Sequence, residues 1–173
     1  MEEIELTYLP KFLPSGVLLS PFKKMLDIYI PESLDHPKLR LRRSGDTYEI
    51  TKKNPISEGD ASRQLEITIP LTAEEFADLE KIPGKRINKS RYVYKENNIT
   101  FEIDVFQGDL KGLVLVDIEF KSVDDKSKFV SPPWCLVDVT QEKFIAGGML
   151  CGKRYADIEE RLNKFGYSKL DLK

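Results

Sequence analysis

Residues 38–43 read KLRLRR, and the fold turns on which way that stretch points. As a β-strand it alternates, with Arg40 and Arg42 on one face and Leu39 and Leu41 on the other. Two like charges side by side cost little on a wetted exterior, where they are screened. Facing an interior, they need an anion to meet them. The rest of the chain decides between these alternatives.

The same alternation recurs about eight times. It predicts strands over 3–9, 26–30, 38–43, 46–53, 64–69, 86–95, 98–106 and 113–121, punctuated by the turn-forming stretches 43–46, 54–60, 96–98 and 107–112. A helix is expected over 71–82, opened by a capping box of Thr72 and Glu75 and ended before Pro83 and Gly84. A short helix over 123–129, a turn or two over 140–144 and an amphipathic helix over 155–166, stopped by Gly166, complete the set. Strands and helices do not alternate, which argues against a doubly wound parallel sheet. The expected fold is α+β but mainly β: an eight-stranded antiparallel closed barrel with a few flanking helices.

Strand parity then sorts the charges. Glu3 pairs with Glu5 on one face, Arg40 with Arg42, Thr51 with Lys53, Glu66 with Thr68, Lys89 with Arg91, Glu102 with Asp104 and Asp117 with Glu119, while the intervening residues are mostly apolar. On a single strand a charged face is ordinarily just a wet face. Across the whole set the signs segregate by strand, acidic in the first, seventh and eighth and basic in the third and at Lys89 and Arg91. An exterior would mix signs within a strand, because like charges two residues apart repel. The segregation fits a water-filled barrel interior in which acidic and basic rows face one another.

Composition sets the limits. The chain has 173 residues, read as one domain over 1–173 with 147–173 a C-terminal linker and helix; 27 Lys and Arg against 29 Asp and Glu leave a net charge of -2. That balance argues against nucleic-acid or membrane binding through bulk charge. Cys135 and Cys151 are too few for a disulfide framework or a metal knuckle, and no apolar signal segment opens the sequence, so a reducing cytoplasm is expected. The only histidine, His36, reads as a loop residue beside Pro37. Residues 147–154, GGMLCGKR, imitate a phosphate-binding loop, but Arg154 stands where a magnesium-ligating Ser or Thr belongs. SPPWC at 131–135 reads as a rigid turn anchoring Trp134.

A tunnel with opposed cationic and acidic rows suits an oligophosphate, whose oxygens accept from guanidinium and ammonium groups. Its companion would be Mg2+ or Mn2+, which take hard carboxylate oxygens. With those residues assembled, the sequence resembles the CYTH, or triphosphate tunnel metalloenzyme, family. The ordered motifs that carry the resemblance are Glu3-Ile4-Glu5, Arg40-Leu41-Arg42, Thr51-Lys52-Lys53, Lys89-Ser90-Arg91 and Asp117-Ile118-Glu119. They span most of the chain, with one departure, Thr7 where the family carries a lysine on its first strand.

The resemblance implies that Glu3, Glu5 and Glu119 hold the metal with Asp117 near it, and that Arg40, Arg42, Lys53, Lys89 and Arg91 bind phosphate. It also implies that Glu102 and Asp104 hold a second metal or orient the attacking water. The expected activity is metal-dependent hydrolysis of a triphosphate, most simply inorganic tripolyphosphate to diphosphate and phosphate. Alternatives are cyclisation of ATP to cyclic AMP, or capture of polyphosphate or nucleotide without turnover. No base-binding slot stands out among Tyr48, Tyr92 and Tyr94, which favours the inorganic substrate. Apolar outer strand faces leave room for a homodimer.

Overall fold

A computed structural model describes residues 2–172. Nine strands and four helices follow the chain as β1 (Glu2–Pro10), β2 (Phe22–Ile30), β3 (Leu39–Ser44), β4 (Thr47–Ser57), β5 (Asp60–Leu71), α1 (Ala73–Leu79), β6 (Lys85–Glu96), β7 (Ile99–Phe106), β8 (Val114–Glu119), α2 (Val123–Ser127), β9 (Cys135–Asp138), α3 (Gly147–Leu150) and α4 (Tyr155–Lys164). All pairings are antiparallel, in the order β5-β4-β3-β2-β6-β7-β8-β1-β9. β5 also pairs with β1 through Glu2↔Leu65, Glu3↔Gln64 and Ile4↔Arg63, and this short seam closes an eight-stranded barrel. Beyond it β1 diverges from β5, and β9 takes up the vacated edge of β1 at Tyr8, Leu9 and Pro10.

The expected barrel is thus present, with a ninth strand added. β9 begins inside the stretch read as a turn, and its four residues are too few to show an alternation. Trp134, just before it, is buried as expected: its ring lies 5.0 Å from that of Phe101, and its Nε1 donates to Glu96 Oε2 at 2.9 Å. The 54–60 stretch is tighter than its turn residues imply. Pairing runs through Pro55, and only Glu58 and Gly59 form the turn, with Gly59 at a φ of 82° that favours glycine. The capping box forms at α1: Glu75 N donates to Thr72 Oγ1, and Thr72 N to Glu75 Oε2.

Burial divides the barrel lengthwise. The outer faces of β6–β8 pack beneath Trp134 and Cys135 through Phe101, Ile103, Val114, Val116 and Ile118. α1 covers the outside of β2–β4 by setting Phe76 against Ile28 and Leu41. The outer face of β5 stays bare, with Leu65, Ile67 and Ile69 exposed.

Inside, one end of the barrel is apolar. Leu9, Ile87, Phe106 and Leu115 point inward there and meet Val139, Phe144, Ile145, Leu150, Tyr155, Ile158, Leu162 and Tyr167 from the C-terminal region. The segment expected as a linker from residue 147 therefore forms α3 and joins a stopper. Tyr167 secures it by donating to Gly112 O at 2.8 Å while accepting from Val114 N at 2.9 Å. Gly147 and Gly148 serve close packing: a Cβ at Gly147 would lie 1.9 Å from Tyr29 Oη, and one at Gly148 would lie 2.2 Å from Pro37 O. No helix among the described residues is long and apolar enough to cross a membrane.

Candidate functional site: a charged tunnel

The other end of the interior is a cavity of about 650 Å3, and all the residues sorted by parity except Thr68 line it. Glu3, Glu5, Arg40, Arg42, Lys53, Glu66, Lys89, Arg91, Glu102, Asp104, Asp117 and Glu119 all face it, as do Thr7 and Thr51. Phe106, Leu115 and Ile145 of the stopper form its floor.

The acidic cluster depends on register. Glu5 on β1 is paired directly with Glu119 on β8, and Glu3 lies one same-face step along β1. Carboxylate oxygens of Glu3, Glu5 and Glu119 consequently all lie within 4.8 Å of one another. Burial, then Asp117, and further Glu3 and Glu119, push the Glu5 carboxyl up to about 8 despite Lys53. Burial and Glu102 also raise Glu119. Three hard-oxygen ligands converge here with more mutual repulsion than the nearby cation relieves, which is a donor set suited to a divalent ion. Asp117 stands apart from the three. It accepts from Thr7 Oγ1 at 2.8 Å and lies 3.5 Å from Arg91 Nη2, so the residue replacing the family lysine holds an acid in place.

The basic residues each rest on an acid, with one exception. Arg42 donates from Nε to Asp27 Oδ1 at 2.6 Å and from Nη2 to Asp27 Oδ2 at 2.8 Å, a buried two-point pair. Arg91 grips Asp104 in the same way, with both bonds at 2.7 Å, and reaches Glu102 with Nη1. Lys89 contacts Asp104 and stands 3.8 Å from Asp27 Oδ2. Lys53 contacts Glu3 and lies 3.1 Å from Glu66 Oε2. Arg40 differs, because its Nε is buried without a hydrogen-bond partner among the described residues. Such a donor is costly to leave unmade, and it points to an acceptor supplied from outside the chain.

Asp104 and Glu102, paired in the sequence, sit in different surroundings. Asp104 is 1 % exposed, and both its oxygens are engaged by Arg91 and Lys89. Burial opposes its charge, but Lys89 and Arg91 prevail and bring its pKa down to about 2. Glu102 keeps more than a quarter of its side chain accessible. Asp27 was not marked by the charge pairing at all. Its signal was available, a single acid in the otherwise apolar LDIYI stretch on the same parity as Tyr29. Burial works against its ionisation too, yet Arg42, with Lys89 and Arg40, holds it well below the usual carboxylate range.

These two buried acids predict acid sensitivity. Both folded-state pKa values lie below the ordinary 3.8, so their contribution is present above about pH 4 and disappears as pH falls toward about 2. Thermal melts at stepped pH should show Tm falling steeply across that window, and Asp27→Asn should flatten the fall. A wild-type Tm that is constant from pH 5 to pH 2.5 would overturn the assignment.

No family model matches the sequence. The chain is 39% identical over 146 residues to an inorganic triphosphatase from Nitrosomonas europaea, covering 83% of this chain and 92% of that protein. It is 30% identical over 123 residues to an inorganic triphosphatase from Acetivibrio thermocellus, covering 70% of this chain and 76% of the relative. The crystal structure of the inorganic triphosphatase NE1496 superposes with a TM-score of 0.61 at 31% identity, over 86% of this chain and 93% of that one. The PH1012 protein of Pyrococcus horikoshii, 16% identical with a TM-score of 0.51 over 99% of this chain and 94% of its own, shares the fold. Identity at this level over nearly the whole of a relative, together with the charged tunnel in a closed barrel, means that the chain belongs to the CYTH, or triphosphate tunnel metalloenzyme, family.

Proposed function

We propose that this protein is a divalent-metal-dependent triphosphatase that hydrolyses inorganic tripolyphosphate to diphosphate and phosphate inside the barrel. The observation that carries it is one cavity in which Glu3, Glu5 and Glu119 converge opposite Arg40, Arg42, Lys53, Lys89 and Arg91. The identity to inorganic triphosphatases supports the same reading.

Glu3, Glu5 and Glu119 would hold Mg2+ or Mn2+, with Asp117 close by. Bound there, the ion would neutralise phosphate oxygens and supply Lewis-acid polarisation. The chain's own residues do the rest. Arg42, Lys89 and Arg91, fixed from behind by Asp27 and Asp104, present donors to phosphate oxygens and stabilise charge where it develops. Arg40 offers its unpaired Nε to the same chain of phosphates. Because these cations are already oriented, little reorganisation accompanies the reaction, and the terminal phosphoryl group is held in line for water. Of the two acids expected to orient that water, Glu102 has the accessible carboxylate, and Asp104 acts by positioning Arg91 and Lys89. No side-chain nucleophile is required. Two free, buried thiols fit a reducing cytoplasm as the working compartment.

Phosphate release should be measured on tripolyphosphate, ATP and thiamine triphosphate with Mg2+ or Mn2+, with cyclic AMP followed in parallel. The expected result is turnover of tripolyphosphate well above the others, loss of turnover in EDTA and no cyclic AMP. If tripolyphosphate raises Tm but is not cleaved, the hydrolase assignment fails.

A further inference from the structure

We propose that Thr7 is a positioning residue that makes capture of the triphosphate depend on the divalent ion, because it sets a hydroxyl where a cation would balance Asp117. The inference rests on the triphosphate reading of the tunnel and concerns what must accompany the anion into it.

Register puts Thr7 in place. It is the next inward residue after Glu5 on β1, and the β1–β8 pairing sets it directly opposite Asp117. Thr7 is buried, and both its donors are spent. Its backbone N–H donates to Thr140 Oγ1 at 3.0 Å, and its Oγ1 donates to Asp117 Oδ1 at 2.8 Å. A hydroxyl has one proton to give, and here the carboxylate takes it, so Thr7 has none left for phosphate. It orients Asp117 without cancelling its charge.

The neighbouring cations do not cancel that charge either. Arg91 lies 3.5 Å from Asp117 Oδ2, but its bonds go to Asp104 and Glu102. Lys89 is shared between Asp104 and Asp27, Lys53 between Glu3 and Glu66, and Arg42 is locked to Asp27. Glu5 and Glu119 add two more carboxylates beside Glu3. Even with a proton on Glu5, which is raised to about 8, the acids of this stretch outnumber its cations, Arg40 included. A triphosphate arriving without metal therefore meets donors already held by carboxylates, and an unbalanced negative charge at Asp117. A divalent ion at Glu3, Glu5 and Glu119 would supply the missing positive charge. A lysine at position 7 would supply it from the chain, giving one proton to Asp117 and presenting the others to phosphate.

The test is calorimetric titration, in Mg2+ and in EDTA, with a tripolyphosphate analogue whose two bridging oxygens are replaced by methylene groups and which resists hydrolysis. The wild type should bind it at least about 30-fold more weakly in EDTA. Thr7→Lys should tighten the EDTA Kd about tenfold, the scale of one hydrogen bond to a charged group, and should reduce the rise in Tm caused by Mg2+ alone. Asp117→Asn, nearly isosteric, should tighten the EDTA Kd about threefold to tenfold, because it removes the same charge without adding a side chain to the interior. Thr7→Ser keeps the donor and should hold the ratio of the two Kd values within about twofold of wild type. Equal Kd values in Mg2+ and EDTA for the wild type would overturn the inference. So would variants that shift Tm while neither Thr7→Lys nor Asp117→Asn tightens the EDTA Kd, since Thr7 would then serve packing alone. Failure of the analogue to bind the wild type even with Mg2+ would overturn the triphosphate reading itself, and this inference with it.

Discussion

Glu5→Gln is expected to abolish metal-dependent hydrolysis of tripolyphosphate, lowering kcat by more than about 100-fold, since even outer-shell changes at metal sites cost 10–100-fold. The substitution keeps the size of the side chain and removes the charge. Glu5 lies at the centre of the acidic group, directly opposite Glu119 and one same-face step from Glu3. Without its carboxylate only two acids of the group remain to share a divalent ion.

The fold should not suffer. Glu5 is raised to about 8 because its ionised form is disfavoured by burial and by Asp117. A group with a raised folded pKa contributes stability below its unfolded pKa and loses it as pH rises toward the folded value. In metal-free solution at pH 8, the neutral amide of the Glu5→Gln variant therefore carries none of that cost, and the variant's Tm should equal or exceed the wild type's. Added Mg2+ should raise the Tm of the wild type and leave the variant's almost unmoved. Full activity in Glu5→Gln would remove the metal assignment. A collapse of Tm would show that the residue is structural.

The second large effect falls on a residue that the charge pairing passed over. Asp27→Ala should destabilise the protein by about 3–5 kcal/mol, because it strands the Arg42 guanidinium in the interior without its two-point partner. For a chain of this length each kcal/mol corresponds to roughly 2–4 °C, so Tm should fall by on the order of 10 °C. Activity should fall as well, since Arg42 loses the acid that fixes its direction and Lys89 keeps only Asp104. Asp27→Asn separates the two causes: it preserves shape and one acceptor, and should recover part of the Tm while kcat/KM for tripolyphosphate stays depressed. A Tm within 2 °C of wild type for Asp27→Ala would mean that water in the tunnel already solvates Arg42.

Both predictions rest on features with different legibility. The faces of the strands could be read directly from the sequence, because the side-chain period of two is a property of each strand alone. That is why KLRLRR, once set beside the acidic pairs, identified Arg40 and Arg42 as tunnel residues; Arg43, of the opposite parity, is not among the residues that line the cavity. The capping box at Thr72 and Glu75 was legible for the same local reason. Asp27 was harder, since one acid in an apolar strand acquires meaning only when Arg42 arrives across the β2–β3 pairing.

What the sequence by itself determined, then, was which side chains share a face and which sign each face carries. Tertiary structure alone decided which faces meet. Glu5 meets Glu119 because of the β1–β8 register, and three residue pairs between β1 and β5 close the barrel. The C-terminal segment read as a linker and helix shuts one end, setting Phe144, Ile145 and Leu150 against Leu9, Phe106 and Leu115. Register, closure and the stopper join residues far apart in the chain. Local periodicity cannot encode such contacts, because sliding any strand by two residues preserves its faces and changes all its partners.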